Sequence, residues 1–157
     1  MQKRDPLRLM GCQIAIPSGV CAADRDRHVA AVCERISNYL ADTAPVDLIV
    51  LPELCTMTYS RAAFEMLDDL AEPLDGPSAT RFAELARDVN AMVVFGFARC
   101  TDTGFRISQV MLNGRAKSLP AMTRCIFVSM GPPAKRNSLS AEKELPSSTS
   151  RAGRSLP

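Results

Sequence analysis

The first 114 residues alternate between two patterns of apolar and polar positions, one typical of strands and one typical of helices. Short apolar runs rich in β-branched residues indicate buried strands, and apolar positions that recur every three to four residues indicate amphipathic helices. The predicted strands span 7–14, 46–51, 91–97 and 105–112. The predicted helices span 27–41, 61–70 and 79–89. This alternation of strands and helices predicts an α/β layered fold.

Polar residues at the ends of these segments have the chemistry of helix caps, loops and turns. Asp24 and Asp26 supply acidic caps for the first helix, and Ser78 is a candidate N-cap for the third. Glu72–Pro77 is predicted to be a loop because it contains two prolines and a glycine. Asn113-Gly114, after the last predicted strand, is a hairpin signal.

The pattern changes after Gly114, and so does the charge. Residues 1–114 carry 11 Lys and Arg against 15 Asp and Glu, a net charge of −4, whereas residues 115–157 carry 8 against 2, a net charge of +6. The second part holds 5 of the 11 prolines and 8 serines, and almost no apolar spacing remains from Gly131 onward. We expect a basic Pro/Ser-rich tail, disordered over 131–157, that either binds a partner or differs in origin from the rest.

Composition limits the class of protein. Apolar residues make up 46% of the chain and charged residues 23%, as in soluble globular proteins. No apolar run has the length of a membrane span or of a signal-peptide core, so we expect a cytoplasmic protein without membrane contact. Six cysteines without a CxxC pair and a single histidine, His28, favour free thiols and no metal site.

Glu53 is the candidate catalytic residue. It follows the predicted strand 46–51, and Pro52 ends that strand because proline cannot continue a sheet ladder. The carboxyl ends of buried strands are where α/β folds bind ligands. A partly buried glutamate there would have a raised pKa, which suits a general base. The alternative is a carboxylate that caps the next helix or faces solvent.

Three segments, in order and spacing, resemble the nitrilase superfamily of carbon–nitrogen hydrolases over residues 7–114. The segments are Asp47–Leu54, Ala71–Ser78 and Val93–Phe97. The resemblance implies the N-terminal part of a four-layer α-β-β-α sandwich that usually dimerises. It also implies hydrolysis of amides, carbamoyl amines or nitriles by a Glu-Lys-Cys triad, without metal or organic cofactor, with Glu53 as the base.

The lysine and the cysteine of that triad have no matching residues here. Lys117 precedes the family position, and Lys135 and Lys143 lie in the predicted disordered tail. Cys125 lies too early and in the wrong context, and Cys55 is not the family position. The sequence therefore predicts a truncated family member that is inactive as it stands, with 7–114 as a partial hydrolase domain and 115–157 as a tail.

A change of reading frame between about Gly114 and Met122 would explain the tail. With suitable third bases, the codons for residues 122–128 read two bases later encode Asp-Lys-Met-His-Leu-Cys, which contains the missing Lys-x-His-Leu segment. The coding DNA decides this hypothesis, which is wrong if no alternative frame there encodes that segment.

Two non-catalytic functions are the alternatives. A basic tail attracts nucleic acid or an acidic partner, but it contains one aromatic residue, Phe127, and no nucleic-acid motif, so we expect no nucleic-acid partner. A partner protein that docks on an intact homologue is the other alternative. Half a sandwich would expose a sheet face, so we expect aggregation or dependence on a partner.

Overall fold

The computed structural model describes residues 6–19, 21–114 and 125–128. The strands in these ranges are β1 (Leu9–Gly11), β2 (Leu48–Val50), β3 (Met92–Thr101), β4 (Gly104–Asn113) and β5 (Cys125–Val128). The helices are α1 (Ala22–Ala41), α2 (Arg61–Glu65), α3 (Leu67–Leu70) and α4 (Pro77–Asp88). The predicted α/β alternation is confirmed.

The five strands form one mixed sheet in the order β1-β2-β3-β4-β5. β1, β2 and the start of β3 run parallel, with Ile49 in register with both Met10 and Val93. β4 pairs antiparallel with the whole of β3, and β5 pairs antiparallel with β4. The carboxyl ends of the three parallel strands therefore point toward one edge, where α/β folds place their sites.

Helices α1 and α4 cover one face of the sheet. Both are amphipathic, and their apolar stripes enter one core with the apolar residues of β2, β3 and β4. Phe95 lies at the centre of this core, with its ring centroid 4.5 Å from that of Phe82 and 5.4 Å from that of Phe97. The ring contact between Phe82 and Phe95 packs α4 against β3, and α1 packs against α4.

The other face of the sheet carries apolar side chains that are covered only in part. Strand residues alternate between the two faces, so the neighbours of the core residues point away from α1 and α4. These side chains are half-buried at Leu48, Val50, Met92, Val94 and Met111. Leu9, in register with Leu48, is 58% exposed.

Several element boundaries differ from the sequence prediction. The first helix begins at Ala22, five residues before the predicted start, with Cys21 as its N-cap and Asp24 in its first turn. An oxygen of the distant Asp69 accepts the N–H of Ala22 at 2.9 Å, so a tertiary contact supports this end. The third predicted helix begins at Pro77, and Gly76, not Ser78, is its N-cap.

Three further differences concern interruption and length. The predicted helix 61–70 is two short helices, α2 and α3, separated at Met66. The first strand is limited to Leu9–Gly11, the length over which it pairs with β2. β3 runs four residues beyond the predicted end at Phe97 because it pairs with β4 as far as Thr101.

Much of the predicted tail lies outside the described residues, including Lys117, Lys135 and Lys143. Its predicted disorder, its boundary at Gly114 and the change of reading frame stay predictions. β5, at Cys125–Val128, lies in the part of the predicted tail that precedes Gly131. Within the described ranges, no helix combines the length and apolar character needed to cross a bilayer.

Candidate functional site

Glu53 lies in a turn that begins where β2 ends, at the carboxyl edge of the parallel strands. Backbone hydrogen bonds to β3 hold both sides of this turn. The N–H of Leu51 donates to the Val94 carbonyl at 2.8 Å, and the N–H of Cys55 donates to the Gly96 carbonyl at 2.9 Å. Glu53 therefore has a fixed backbone although it lies outside regular structure.

Gly96 allows the turn to lie directly on β3. Its N–H donates to the Pro52 carbonyl at 3.2 Å, and a Cβ at this position would overlap the Glu53 backbone. Glycine within a strand indicates such a close backbone approach. A glycine within the predicted strand is visible in the segment Val93–Phe97, but its contact with the Glu53 turn cannot be inferred from the sequence.

The side chain of Glu53 is exposed, which corrects the expectation of partial burial. Leu54 and Cys55, the next two residues, turn inward and are buried. The described residues therefore fix the backbone position of Glu53 but leave its carboxylate exposed to solvent. A carboxylate in this position is free to reach a substrate or a further catalytic group.

The far side of the turn contacts α1. His28 is buried, and its Nε2 lies 3.0 Å from the Cys55 carbonyl oxygen. Sequence reasoning noted His28 only as the single histidine. The contact of His28 with Cys55, two residues after the candidate base, joins residues 27 positions apart and cannot be seen in local sequence.

Cys55 is near Glu53 along the chain but is not a candidate nucleophile. Burial raises the pKa of its thiol to about 12, so the thiol is protonated near neutral pH. Burial likewise raises the pKa of Cys33 to about 11. Because the thiolate is the nucleophile, neither cysteine is prepared for attack. Cys12, Cys21 and Cys100 are also free thiols, and the side chain of Cys125 lies outside the described residues.

A second glutamate, Glu72, is buried beside the start of α4. One of its oxygens accepts the Ser78 N–H at 2.8 Å, and the other lies 3.6 Å from Nε of the buried Arg25. Arg25 also donates to the Leu70 carbonyl at 3.0 Å. Glu72 thus caps α4 and ties it to α1, so the predicted loop 72–77 is a structural junction.

No metal cluster is found among the residues described. No group of three or more His, Cys, Asp and Glu side chains there is placed to hold a metal ion. A groove of about 540 Å³ lies between α1 and α4, with Arg27, Glu34, Arg81 and Glu84 among its lining residues. Glu53 is not part of that lining.

Comparison with known proteins identifies a family. The family model described as carbon-nitrogen hydrolase matches residues 11–149. The match therefore extends past Gly114, where the resemblance read from the sequence ends. One curated protein, the "Hydrolase in pqqF 5′region" of Pseudomonas protegens, is 33% identical over 73 residues, which are 46% of this chain and 25% of that protein.

Solved structures share the fold at low sequence identity. An N-terminal amidase bound to an Asn-Glu-Ala peptide has a TM-score of 0.63 at 16% identity, and the aligned region is 77% of this chain and 28% of the amidase chain. A Saccharomyces cerevisiae member of branch 10 of the nitrilase superfamily has a TM-score of 0.59 at 16% identity, covering 71% and 41%. A Helicobacter pylori carbon-nitrogen hydrolase has a TM-score of 0.56 at 16% identity, covering 69% and 36%.

The matched part of the chain spans between a quarter and about two fifths of the length of these relatives. The structural likeness shows a nitrilase-type fold, and the family model covers most of the sequence. The chain belongs to the carbon–nitrogen hydrolase family.

Proposed function

We propose that this chain carries the general-base part of a carbon–nitrogen hydrolase site, with Glu53 as the base, and that it is inactive as it stands. The observation that supports Glu53 is its geometry. Its backbone is held on Gly96 at the carboxyl edge of the parallel strands, and its carboxylate is exposed there. Family membership supports the reaction class.

The proposed chemistry needs three groups. A cysteine thiolate attacks the carbon of an amide, carbamoyl amine or nitrile after Glu53 has taken the thiol proton. A lysine stabilises the negative charge of the tetrahedral intermediate formed from an amide. The C–N bond of this intermediate then breaks, Glu53 passes its proton to the leaving amine, and a thioester remains. Glu53 finally takes a proton from the water that hydrolyses the thioester and frees the cysteine. Several structural neighbours are structures of an N-terminal amidase with bound peptides, which supports an amide-type substrate.

Inactivity follows from the missing partners in this proposal. A lone carboxylate cannot perform covalent catalysis, and the buried Cys55 thiol cannot replace the family nucleophile. Ammonia release from short amides and carbamoyl compounds is the direct assay. We expect no release above buffer from the full chain. Turnover that Glu53→Gln abolishes and Glu65→Gln preserves would overturn the proposed inactivity, since Glu65 is an exposed glutamate that pairs with Arg61 at the surface.

The role of Glu53 is tested in a chain with the reading frame restored. If the alternative frame supplies Lys-x-His-Leu, we expect the restored chain to release ammonia and Glu53→Gln to lower kcat by at least about a thousandfold. Glu65→Gln in the same background should retain activity. A restored chain that stays fully active with Glu53→Gln would refute the assignment of the base.

A non-catalytic partner is the second candidate function, and the half-covered sheet face favours it. Leu9 is 58% exposed beside the half-buried Leu48 and Val50. Sheet faces of this kind bury their side chains against another layer. Sedimentation of the purified full chain with and without an intact homologue tests this candidate. A monomer with a sharp, cooperative melt and no binding would refute it.

A further inference from the structure

His28 connects α1 to the turn that carries Glu53. It is 8% exposed, and its Nε2 lies 3.0 Å from the Cys55 carbonyl oxygen. A carbonyl oxygen only accepts hydrogen bonds, so this contact requires a hydrogen on Nε2. Because the acceptor is buried, loss of the donor would leave an unpaired carbonyl as well as a missing bond.

The Cys55 backbone is held from both sides. Its N–H donates to the Gly96 carbonyl at 2.9 Å, and its own carbonyl faces His28. The first contact joins the turn to β3 and the second joins it to α1. Since Cys55 follows Glu53 by two residues, these contacts limit the orientation of the turn as well as its distance from the sheet.

The histidine is itself held in place by the fixed start of α1. Arg25, one turn earlier, donates to the Leu70 carbonyl and pairs with Glu72, and the Ala22 N–H donates to Asp69. Movement of His28 would therefore require breaking buried contacts elsewhere. This makes α1 a rigid support and not a mobile lid.

We propose that His28 is a positioning residue for Glu53, acting through the Nε2–H to Cys55 carbonyl hydrogen bond. Its importance for catalysis rests on the proposed function of Glu53, but the bond and its effect on the turn do not. β3 sets how far the turn lies from the sheet, and His28 sets its rotation about that contact.

The first test uses the unmodified full chain. Long-range ¹H–¹⁵N correlation spectra at pH 7.5 report which ring nitrogen of the single histidine carries the hydrogen. We expect the Nε2–H form. A neutral ring with its hydrogen on Nδ1 would overturn the proposal, because Nε2 would then be an acceptor facing an acceptor.

The second test compares variants by amide hydrogen exchange. We expect His28→Leu to speed exchange at Leu54–Met57 by about tenfold relative to the interior of β3, the fold-change expected from one lost hydrogen bond. His28→Gln, which keeps a donor near the Nε2 position, should restore most of the protection and the ¹³C shift of the Cys55 carbonyl.

Ile36→Ala is the matched control, because Ile36 is a buried residue of α1 that belongs to the core and not to the turn. We expect it to change exchange throughout the fold without selecting Leu54–Met57. The same pattern in His28→Leu and Ile36→Ala would overturn the proposal. If His28→Leu does not fold, the ring tautomer of the unmodified chain and the hydrogen exchange of His28→Gln decide whether the proposal stands. A failure of Glu53 as a base would appear in the activity assays and leave these spectra unchanged.

Discussion

The absence of a side chain at Gly96 determines where Glu53 can lie. The Glu53 backbone occupies the space into which a Cβ on Gly96 would project. A larger residue would therefore have to separate the turn from β3, and the hydrogen bonds at Pro52 and Cys55 would lengthen together. The position of the candidate base thus depends on one small residue 43 positions away in another strand.

We expect Gly96→Ala to lower the free energy of unfolding by at least about 2 kcal/mol, because the new Cβ meets backbone that cannot rotate away. Gly11→Ala in β1 is the matched control, since nothing lies within 4 Å of a Cβ there, and it should change stability by less than about 0.5 kcal/mol. Urea unfolding of both variants checks this. Equal midpoints would contradict the close approach.

Glu72 and Glu65 offer a comparison of buried and exposed ion pairs. The side chains of Glu72 and Arg25 are 2% and 5% exposed, whereas those of Glu65 and Arg61 are 47% and 88% exposed. Glu72→Gln leaves Arg25 with the half-exposed Asp26, 2.8 Å away, as its remaining counter-charge and removes its buried one, so we expect a loss of about 2 kcal/mol. Glu65→Gln should cost less than about 0.5 kcal/mol. Thermal unfolding at low salt distinguishes these outcomes.

At the scale of elements, sequence pattern predicted the existence and type of most of them but not their ends. Apolar spacing is a property of the segment itself, and it correctly indicated α1, α4 and the strands around Ile49 and Val93. The ends depend on distant groups. Asp69 accepts a hydrogen bond from the first residue of α1. At the start of α4, Glu72 accepts the Ser78 N–H, and Ser78 lies inside the helix instead of capping it.

The candidate site was predictable in part for the same reason. Pro52 and Glu53 are adjacent in sequence, so the end of the strand and the carboxylate could be inferred together. The supports of the turn could not, because Gly96 and His28 reach it from β3 and α1. Exposure of Glu53 also depends on what packs over the turn, which no local pattern reports.

The two short helices should be the least stable helical elements of the described chain. α2 has five residues and buries only Ala63, whereas α1 has 20 residues and a buried face that includes Val29, Val32 and Ile36. We expect the amides of α2 to exchange at least about a hundredfold faster than those at the centre of α1. Hydrogen-exchange mass spectrometry measures both, and equal protection would refute this.

At the scale of the whole molecule, two core thiols should make folding sensitive to alkaline pH. Burial raises the pKa of Cys33 to about 11 and that of Cys55 to about 12, from an ordinary value of 9.0. Above pH 9 the unfolded chain releases these protons while the folded chain keeps them. Their contribution to stability is therefore complete below pH 9 and is lost as the pH rises toward 11 and 12.

We expect the free energy of unfolding to fall above pH 9 by about 1.4 kcal/mol per pH unit for each of the two thiols. Replacement of both Cys33 and Cys55 by alanine should flatten this slope. Val32→Ala, which removes core volume without a titrating group, should lower stability but keep the slope. Urea unfolding between pH 8 and 10.5 checks both, and an unchanged slope in the double variant would contradict the prediction.

The pairing of β3 with β4 has a consequence for the order in which the molecule is assembled. Ten residue pairs join these strands across the short turn at Asp102-Thr103, so the hairpin forms from neighbouring sequence within about 1–10 μs. The Glu53 turn must instead wait for Gly96, which leaves the ribosome later than Glu53 itself. During synthesis, Glu53 is therefore translated early but reaches its folded position only after Gly96 has been translated. Until then, chaperones and proteases have access to its segment.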